Sequence, residues 1–174
     1  MINLFKKEDI KLLITTTSFS SSLNTSYETD EESLNIFRSL NLPILQILSC
    51  NKSRESWIHS STGMNSTDLL MQVIIPEFDG RITTKPSAFK EVISTDKTLC
   101  TNITSYKVDI ENIKWIAKLA KNYVKLNNLC NFDKKISIVI ANYPVKNGRI
   151  GNGVGLNTPE SLLNILLWLK DEGY

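Results

Sequence analysis

Histidine, cysteine and glycine are all scarce in this chain, and each scarcity removes a class of function. Three cysteines, Cys50, Cys100 and Cys130, are far apart and odd in number, which suggests neither a disulfide framework nor a cysteine-based zinc site. His59 is the only histidine, fewer than the three or more protein ligands a bound transition metal normally needs. No apolar run approaches the ~20 residues of a membrane span. Met1-Ile-Asn-Leu-Phe-Lys-Lys-Glu-Asp meets charge before an apolar segment forms, so no signal peptide is expected and the cytoplasm is the expected location. The net charge is only +2, which argues against binding driven by attraction to nucleic acid or acidic membranes. With 41% hydrophobic and 22% charged residues over 174 positions, the composition is that of a globular chain long enough to bury a core.

Glycine numbers only seven, yet Gly148, Gly151, Gly153 and Gly155 all fall between Asn147 and Glu160. Before them, Lys135-Ile-Ser-Ile-Val-Ile-Ala-Asn-Tyr143 is short, apolar and β-branched, the pattern of a strand buried on both faces of a parallel sheet. After them, Thr158 suits an N-cap and Pro159 a first helical position. Leu162, Leu163, Leu166 and Leu169 then recur at helical spacing before Gly173. A strand, glycine loop and helix in that order bring backbone N–H groups and partial positive charge to a ligand-accessible turn. The spacing differs from the dinucleotide fingerprint, and no Gly-Lys-Ser/Thr follows, so the loop is not a P-loop. A tight connection that needs glycine only for its turns is the competing reading.

Elsewhere, Ile10–Thr15 and Leu42–Leu48 read as strands on either side of a helix from Asp30 to Leu40 carrying Leu34, Phe37 and Leu40 inward. A polar surface loop runs from Ser18 to Asp30. Pro43 is expected at the start of its strand. Ser53–Ile58 reads as a short helix. A second, capped by Ser66 and burying Leu69, Leu70 and Val73, is expected to stop near Ile75 because Pro76 follows. Pro76-Glu-Phe-Asp-Gly-Arg-Ile82 concentrates two carboxylates, a turn and an arginine. Ser87–Tyr106 has no clear pattern. Asp109–Leu126 reads as a helix with Ile113, Ile116, Ala117, Ala120, Tyr123 and Val124 on one face. Trp57, Trp115 and Trp168 fall on helical apolar faces, the usual place of core residues.

Leu69–Ile82 with Ser87-Ala-Phe-Lys90, and Ala141-Asn-Tyr-Pro144 with Asn147–Ser161, together resemble the large subunit of cobaltochelatase, a family that includes the large subunit of magnesium chelatase. Ile14-Thr-Thr-Thr-Ser-Phe19, Pro43-Ile-Leu-Gln46 and Glu55-Ser-Trp57 fit it in the same order. The string Asn147-Gly-Arg-Ile-Gly-Asn-Gly-Val-Gly-Leu156 is similar to the cobalt branch. The family's subunit is much longer, so the resemblance is to an internal stretch.

The expected fold is α/β with parallel-sheet Rossmann-like layers, spanning the end of one α/β unit and the start of the next. Residues 1–108 form a partial unit, 109–134 a connecting helix and linker, and 135–174 the first strand, loop and helix of the following unit. The resemblance implies a nitrogen–metal ligase assembled from several subunits, with chelation by this stretch alone not expected. Cobalt is its substrate, together with a corrin tetrapyrrole. Partner AAA+ ATPase subunits hydrolyse the ATP, and the remaining portions of the large subunit complete the enzyme. A magnesium chelatase fragment, and a non-catalytic assembly module or gene remnant, are the alternatives from the same resemblance; a generic nucleotide- or sugar-binding domain is the alternative outside it.

Metal insertion needs a site that strips water from the cation, a base for the pyrrole N–H protons and groups that hold the macrocycle. Glu77 and Asp79 are the candidates for the first two, pointing the same way if the segment is extended. The plainer reading is an ordinary turn at Asp79-Gly80 beside a surface carboxylate. Arg81 and Arg149 suit bidentate contacts to macrocycle side chains. Gly151, Asn152, Gly153, Gly155 and Asn157 are candidates to bind substrate through the loop, and His59 is kept as a metal candidate because imidazole suits cobalt.

Overall fold

A computed structural model of the chain describes residues 5, 7–20, 37, 40–141 and 151–174. The expected helix from Asp30 is described only at Phe37 and Leu40, both helical. Leu34, most of the serine-rich loop, Gly148 and Arg149 lie outside the described residues.

Two compact units divide the chain, residues 1–124 and 125–174. The first is built on a mixed four-stranded sheet in the order β1-β2-β3-β4, with β1 at Leu13–Thr15, β2 at Ile44–Cys50, β3 at Ile82–Asp96 and β4 at Thr101–Val108. β1, β2 and β3 pair in parallel, as the strand and helix alternation implies, but β4 returns antiparallel to β3. The architecture is therefore α/β with a mixed rather than wholly parallel sheet.

β2 is the central strand, and its sequence explains why. In Ile44-Leu-Gln-Ile-Leu-Ser-Cys50 buried positions fall on both faces, Leu45 and Cys50 completely, and each such aliphatic side chain contributes about 1.5–3 kcal/mol on burial. Burial also pushes the Cys50 thiol up from its ordinary value, which keeps it a neutral core group. Pro43 stands just before the strand and spends its carbonyl on the Leu13 N–H at 3.0 Å. Phe89 of β3, 1% exposed, meets Trp57 at 5.4 Å between ring centres. Pro86 is accommodated inside β3 because the β2–β3 register shifts beside it, at Leu48, the kind of irregularity that tolerates a missing N–H.

Helix α1, Arg54–His59, is capped by Ser53, whose side chain accepts from the Ser56 N–H. Helix α2, Ser66–Leu69, is capped by Asn65 rather than Ser66. It does not stop at Ile75. A π-helical turn at Leu70–Ile74 leads into a further helical turn, α3, at Ile75–Glu77. The Ile75 N–H reaches Leu70 O, five residues back. The wider winding suits Pro76, which cannot donate and would crowd a normal helical carbonyl four residues earlier.

This path also turns most of the expected inward face out: Leu69 and Leu70 are 44% and 47% exposed and Val73 is half-buried, while Asp68 and Gln72 are buried. The polar face is drawn in by backbone it satisfies. Gln72 accepts from the Ser49 N–H at 2.8 Å and donates to Ser49 O at 2.7 Å, and Asp68 accepts from the Asn51 N–H at 2.9 Å.

Helix α4, Ile110–Asn127, begins where its pattern predicts. Asp109 accepts from the Asn112 N–H at 2.9 Å and from Arg54 Nε at 2.6 Å. The backbone hydrogen bond first, and the Arg54 guanidinium second, hold the Asp109 carboxyl below its ordinary value. A depressed carboxylate pKa gives stability that is complete above the unfolded-state value and is lost as pH falls through the folded one. Asp109→Ala should therefore cost about 1 kcal/mol near neutrality. The difference from the parent should shrink once urea unfolding is measured below about pH 4; a constant difference down to pH 2 would reject this account. Of the expected inner face only Ile116 is buried, and Trp115 is 40% exposed beneath Lys85 Nζ.

The second unit holds a short 3-10 turn at Asn131–Asp133 and helix α5, Thr158–Asp171. Residues 135–141 are not in a strand, and Ile136, Ile138, Val139 and Ile140 are 40–92% exposed. The expected doubly buried strand is thus corrected: an apolar β-branched run becomes one only with a pairing neighbour. Trp168 on α5 is 65% exposed rather than core.

Candidate functional site

Pro76–Arg81 is a helical turn running into a tight turn, not an extended strand; the strand begins only at Ile82. The N–H groups of Asp79 and Arg81 both reach Pro76 O, at 3.0 and 3.4 Å, and that of Gly80 reaches Glu77 O at 2.9 Å. Gly80 sits at φ +72°, where a side chain is strained although nothing would obstruct a Cβ within 4 Å. The two carboxylates consequently part company: Glu77 is exposed while Asp79 is 6% exposed. The shared face expected for Glu77 and Asp79 required extended backbone, and the helical turn removes it.

Asp79 instead joins a sealed polar cluster. Its carboxylate accepts from Arg81 Nη2 and from Ser20 Oγ, each at 2.6 Å. Arg81 donates further from Nη2 to Phe19 O at 2.7 Å, and from Nη1 to Thr17 O, Thr17 Oγ1 and Gln46 Oε1 at 2.8, 2.9 and 3.0 Å. Gln46 in turn donates to Thr17 O at 2.9 Å. Phe37 closes the cluster, its ring centre 4.6 Å from the guanidinium carbon. The ion-paired side chains of Arg81 and Asp79 are 2% and 0% exposed.

A pair so deeply buried is costly to desolvate and persists only where surrounding hydrogen bonds complete it. Here five acceptor atoms do so for the two Nη groups, while among the described residues Arg81 Nε and Thr83 Oγ1 find no hydrogen-bond partner. The effect is to staple the segment after β1 to the turn before β3. The family-like strings Ile14–Phe19 and Pro43–Gln46 contain Thr17 and Gln46, but their joining with Ser20 around Arg81 was not expected from sequence, because each lies 35–64 residues from its Arg81 or Asp79 partner.

His59 ends α1 beside an open groove of about 700 Å³ that Glu91 and Asp109 also line. Its Nδ1 is 2.9 Å from Glu55 O. Among the described residues, no group of three or more His, Cys, Asp or Glu is placed to hold a metal ion.

The second unit contains its own concavity, of about 300 Å³, bounded by Ile138, Ile140, Gly151, Gly153 and Ile165. Its walls are largely aliphatic. Gly151 is essential to its shape: at φ +66°, an added Cβ would lie 3.0 Å from both Ile140 Cγ2 and Thr158 Cγ2. The Gly151 N–H donates to Ala141 O at 2.8 Å, and Thr158 Oγ1 donates to Gly151 O. Gly153 bridges to Leu156, Asn152 is exposed on the rim, and Gly155 adopts φ +75°. The helix cap is Asn157, one residue before the expected Thr158. It accepts from the Glu160 N–H at 3.4 Å and donates to Glu160 Oε2 at 2.7 Å. Asn157 therefore holds the helix start in this conformation, with a carboxylate of the chain itself at that end.

A family model described as CobN/Magnesium Chelatase matches residues 1–174. The aerobic cobaltochelatase subunit CobN of Pseudomonas aeruginosa is 36% identical over 97% of this chain and 13% of its own length. An uncharacterized protein of Methanocaldococcus jannaschii is also 36% identical, over 97% of this chain and 14% of its own. The chloroplastic magnesium-chelatase subunit ChlH of rice (Oryza sativa subsp. indica) is 24% identical over 71% of this chain and 8% of its own. Among solved structures, the catalytic subunit of cobaltochelatase from Mycobacterium tuberculosis superposes with a TM-score of 0.73 at 33% identity, covering 94% of this chain and 13% of that one. The chain thus spans about an eighth of the length of these cobaltochelatase relatives. A match of the family model along the whole sequence, with 36% identity to a cobaltochelatase subunit over 97% of it, places the chain in the CobN/magnesium chelatase family.

Proposed function

We propose that this chain is part of a cobaltochelatase large subunit that inserts cobalt into a corrin precursor, hydrogenobyrinic acid a,c-diamide, during cobalamin synthesis. The observation that carries the reading is the 36% identity to a cobaltochelatase subunit over nearly the whole chain, against 24% to a magnesium chelatase subunit over part of it. Companion subunits with AAA+ ATPase activity hydrolyse ATP in this proposal, since no P-loop occurs here. The work is assigned to the cytoplasm.

Glu77 is the proposed proton acceptor. It is exposed at the end of α3, where a carboxylate can take a pyrrole N–H proton as the cation enters. Asp79 and Arg81 act as positioning residues: their sealed pair fixes the turn that carries Glu77, leaving Glu77 to face the substrate. Arg149, Gly151, Asn152, Gly153, Gly155 and Asn157 are the proposed substrate-binding residues of the glycine-rich segment, and His59 is a candidate contact for incoming cobalt.

Reconstitution tests the reading. The chain is combined with polypeptides supplying the remaining family sequence and the ATPase subunits, and insertion of Co²⁺ into hydrogenobyrinic acid a,c-diamide is followed by visible absorbance. Cobalt insertion that stops when this chain is omitted supports the proposal. Insertion of Mg²⁺ into protoporphyrin instead would transfer the chain to the magnesium branch, and an assembled complex that inserts neither metal would leave a non-catalytic assembly module.

A further inference from the structure

Two exposed phenylalanines sit immediately outside the sealed cluster, one on each stapled segment. Phe19 and Phe78 are each 63% exposed. Phe19 gives its carbonyl to Arg81 Nη2 at 2.7 Å, and the next residue, Ser20, donates to Asp79 at 2.6 Å. Phe78 directly precedes Asp79 and directly follows Glu77. Every bond of the staple is thus made by a residue carrying one of these rings or within two positions of one, apart from those through Gln46. Other exposed apolar side chains, such as Phe132 and Val139, stand on stretches with no comparable buried anchor.

A loop phenylalanine held in water gains nothing from burial, and ordering two such loops costs chain entropy. Fixing both with a buried ion pair is consistent with a role in which their position matters. A flat, conjugated, largely apolar ring is the ligand chemistry this suits. Aromatic side chains offer large, rigid contact area with few rotatable bonds, and they stack on π-faces through offset or edge geometry.

We propose that Phe19 and Phe78 form an aromatic rest for one face of the macrocycle, set by the Arg81–Asp79 staple so that the ring lies against the Glu77 carboxylate. The proposal rests on the tetrapyrrole reading above and adds residues to it. The phenyl rings bind and orient the macrocycle, and the proton moves to Glu77. Because both rings are exposed, their removal should leave folding intact and change ligand affinity alone.

The test is titration of the complex containing this chain with hydrogenobyrinic acid a,c-diamide, without added cobalt, monitored by tryptophan quenching. Phe19→Ala and Phe78→Ala should each raise Kd about tenfold, which corresponds to about 1.4 kcal/mol. The double variant should be about a hundredfold weaker if the rings act independently. Phe78→Trp should retain binding, and melting temperatures should match the parent. Parental binding with undiminished affinity in the alanine variants would overturn the aromatic rest while leaving the chelatase reading in place. Absence of binding by the parental complex would defeat the chelatase reading and the aromatic rest with it.

Discussion

Asp79→Asn is expected to lower the stability of the N-terminal unit by about 3–5 kcal/mol, because it keeps the shape of the side chain but strands the buried Arg81 charge. The guanidinium is 2% exposed and cannot turn to water without opening the segment that follows β1. A loss of this size should depress the melting temperature by more than about 10 °C. Urea unfolding followed by circular dichroism would measure it, and a change below about 1 kcal/mol would show that the pair is not the staple described here. Replacing both partners, as in Asp79→Leu with Arg81→Met, should recover a large part of the loss, since no isolated charge then remains. A double variant as unstable as Asp79→Asn would point to hydrogen bonds from Arg81, rather than its charge, as what the site needs.

Glu77→Gln should act on chemistry and spare the fold. Its side chain is exposed and takes no part in the staple, so unfolding should be unchanged. In the reconstituted complex, loss of a general base should slow metal insertion about 10²–10⁴-fold, with corrin affinity within about threefold of the parent, less than the tenfold per 1.4 kcal/mol that a lost contact would give. A fall in affinity with turnover preserved at saturating corrin would make Glu77 a binding residue instead. Unchanged kinetics would remove it from the mechanism.

Local signals carried the parts of the structure that local interactions decide. β1, β2, α1 and the start of α4 at Asp109 follow from apolar runs and caps. Where a serine or threonine followed an asparagine, at Asn65-Ser66 and Asn157-Thr158, the asparagine made the cap; asparagine and serine cap about equally well, so sequence could not rank the first pair, whereas asparagine is the better cap than threonine and the second follows that preference. The β3–β4 hairpin was illegible for a different reason. All eight residues of β4 are exposed, so no alternation marks it, and β3 buries Thr84 and Pro86 where a strand pattern would show aliphatics. The π-helical turn was hidden because Pro76 signals termination unless the winding widens.

The acidic motif itself was visible as a cluster, and its chemistry was divided only by tertiary structure. Nothing in Glu77-Phe-Asp79 says that one carboxylate stays in water while the other meets Arg81. That separation depends on Ser20, Thr17 and Gln46, whose contributions arise from chain closure over tens of residues. Likewise the apolar Ile136–Ile140 run has a strand's composition, but composition cannot supply the neighbour a strand must pair with.

The Arg81–Asp79 pair differs from the exposed lysine–carboxylate pairs in how it meets dissolved salt. Lys11–Asp9 and Lys114–Glu111 are at the surface, within an ionic atmosphere whose screening length shortens from about 30 Å at 0.01 M to about 3 Å at 1 M. Mobile ions cannot enter between Arg81 and Asp79. The bond between the two segments therefore keeps its strength across ionic strengths that weaken surface attractions, and the turn bearing Glu77 holds its shape in dilute buffer and in concentrated brine alike.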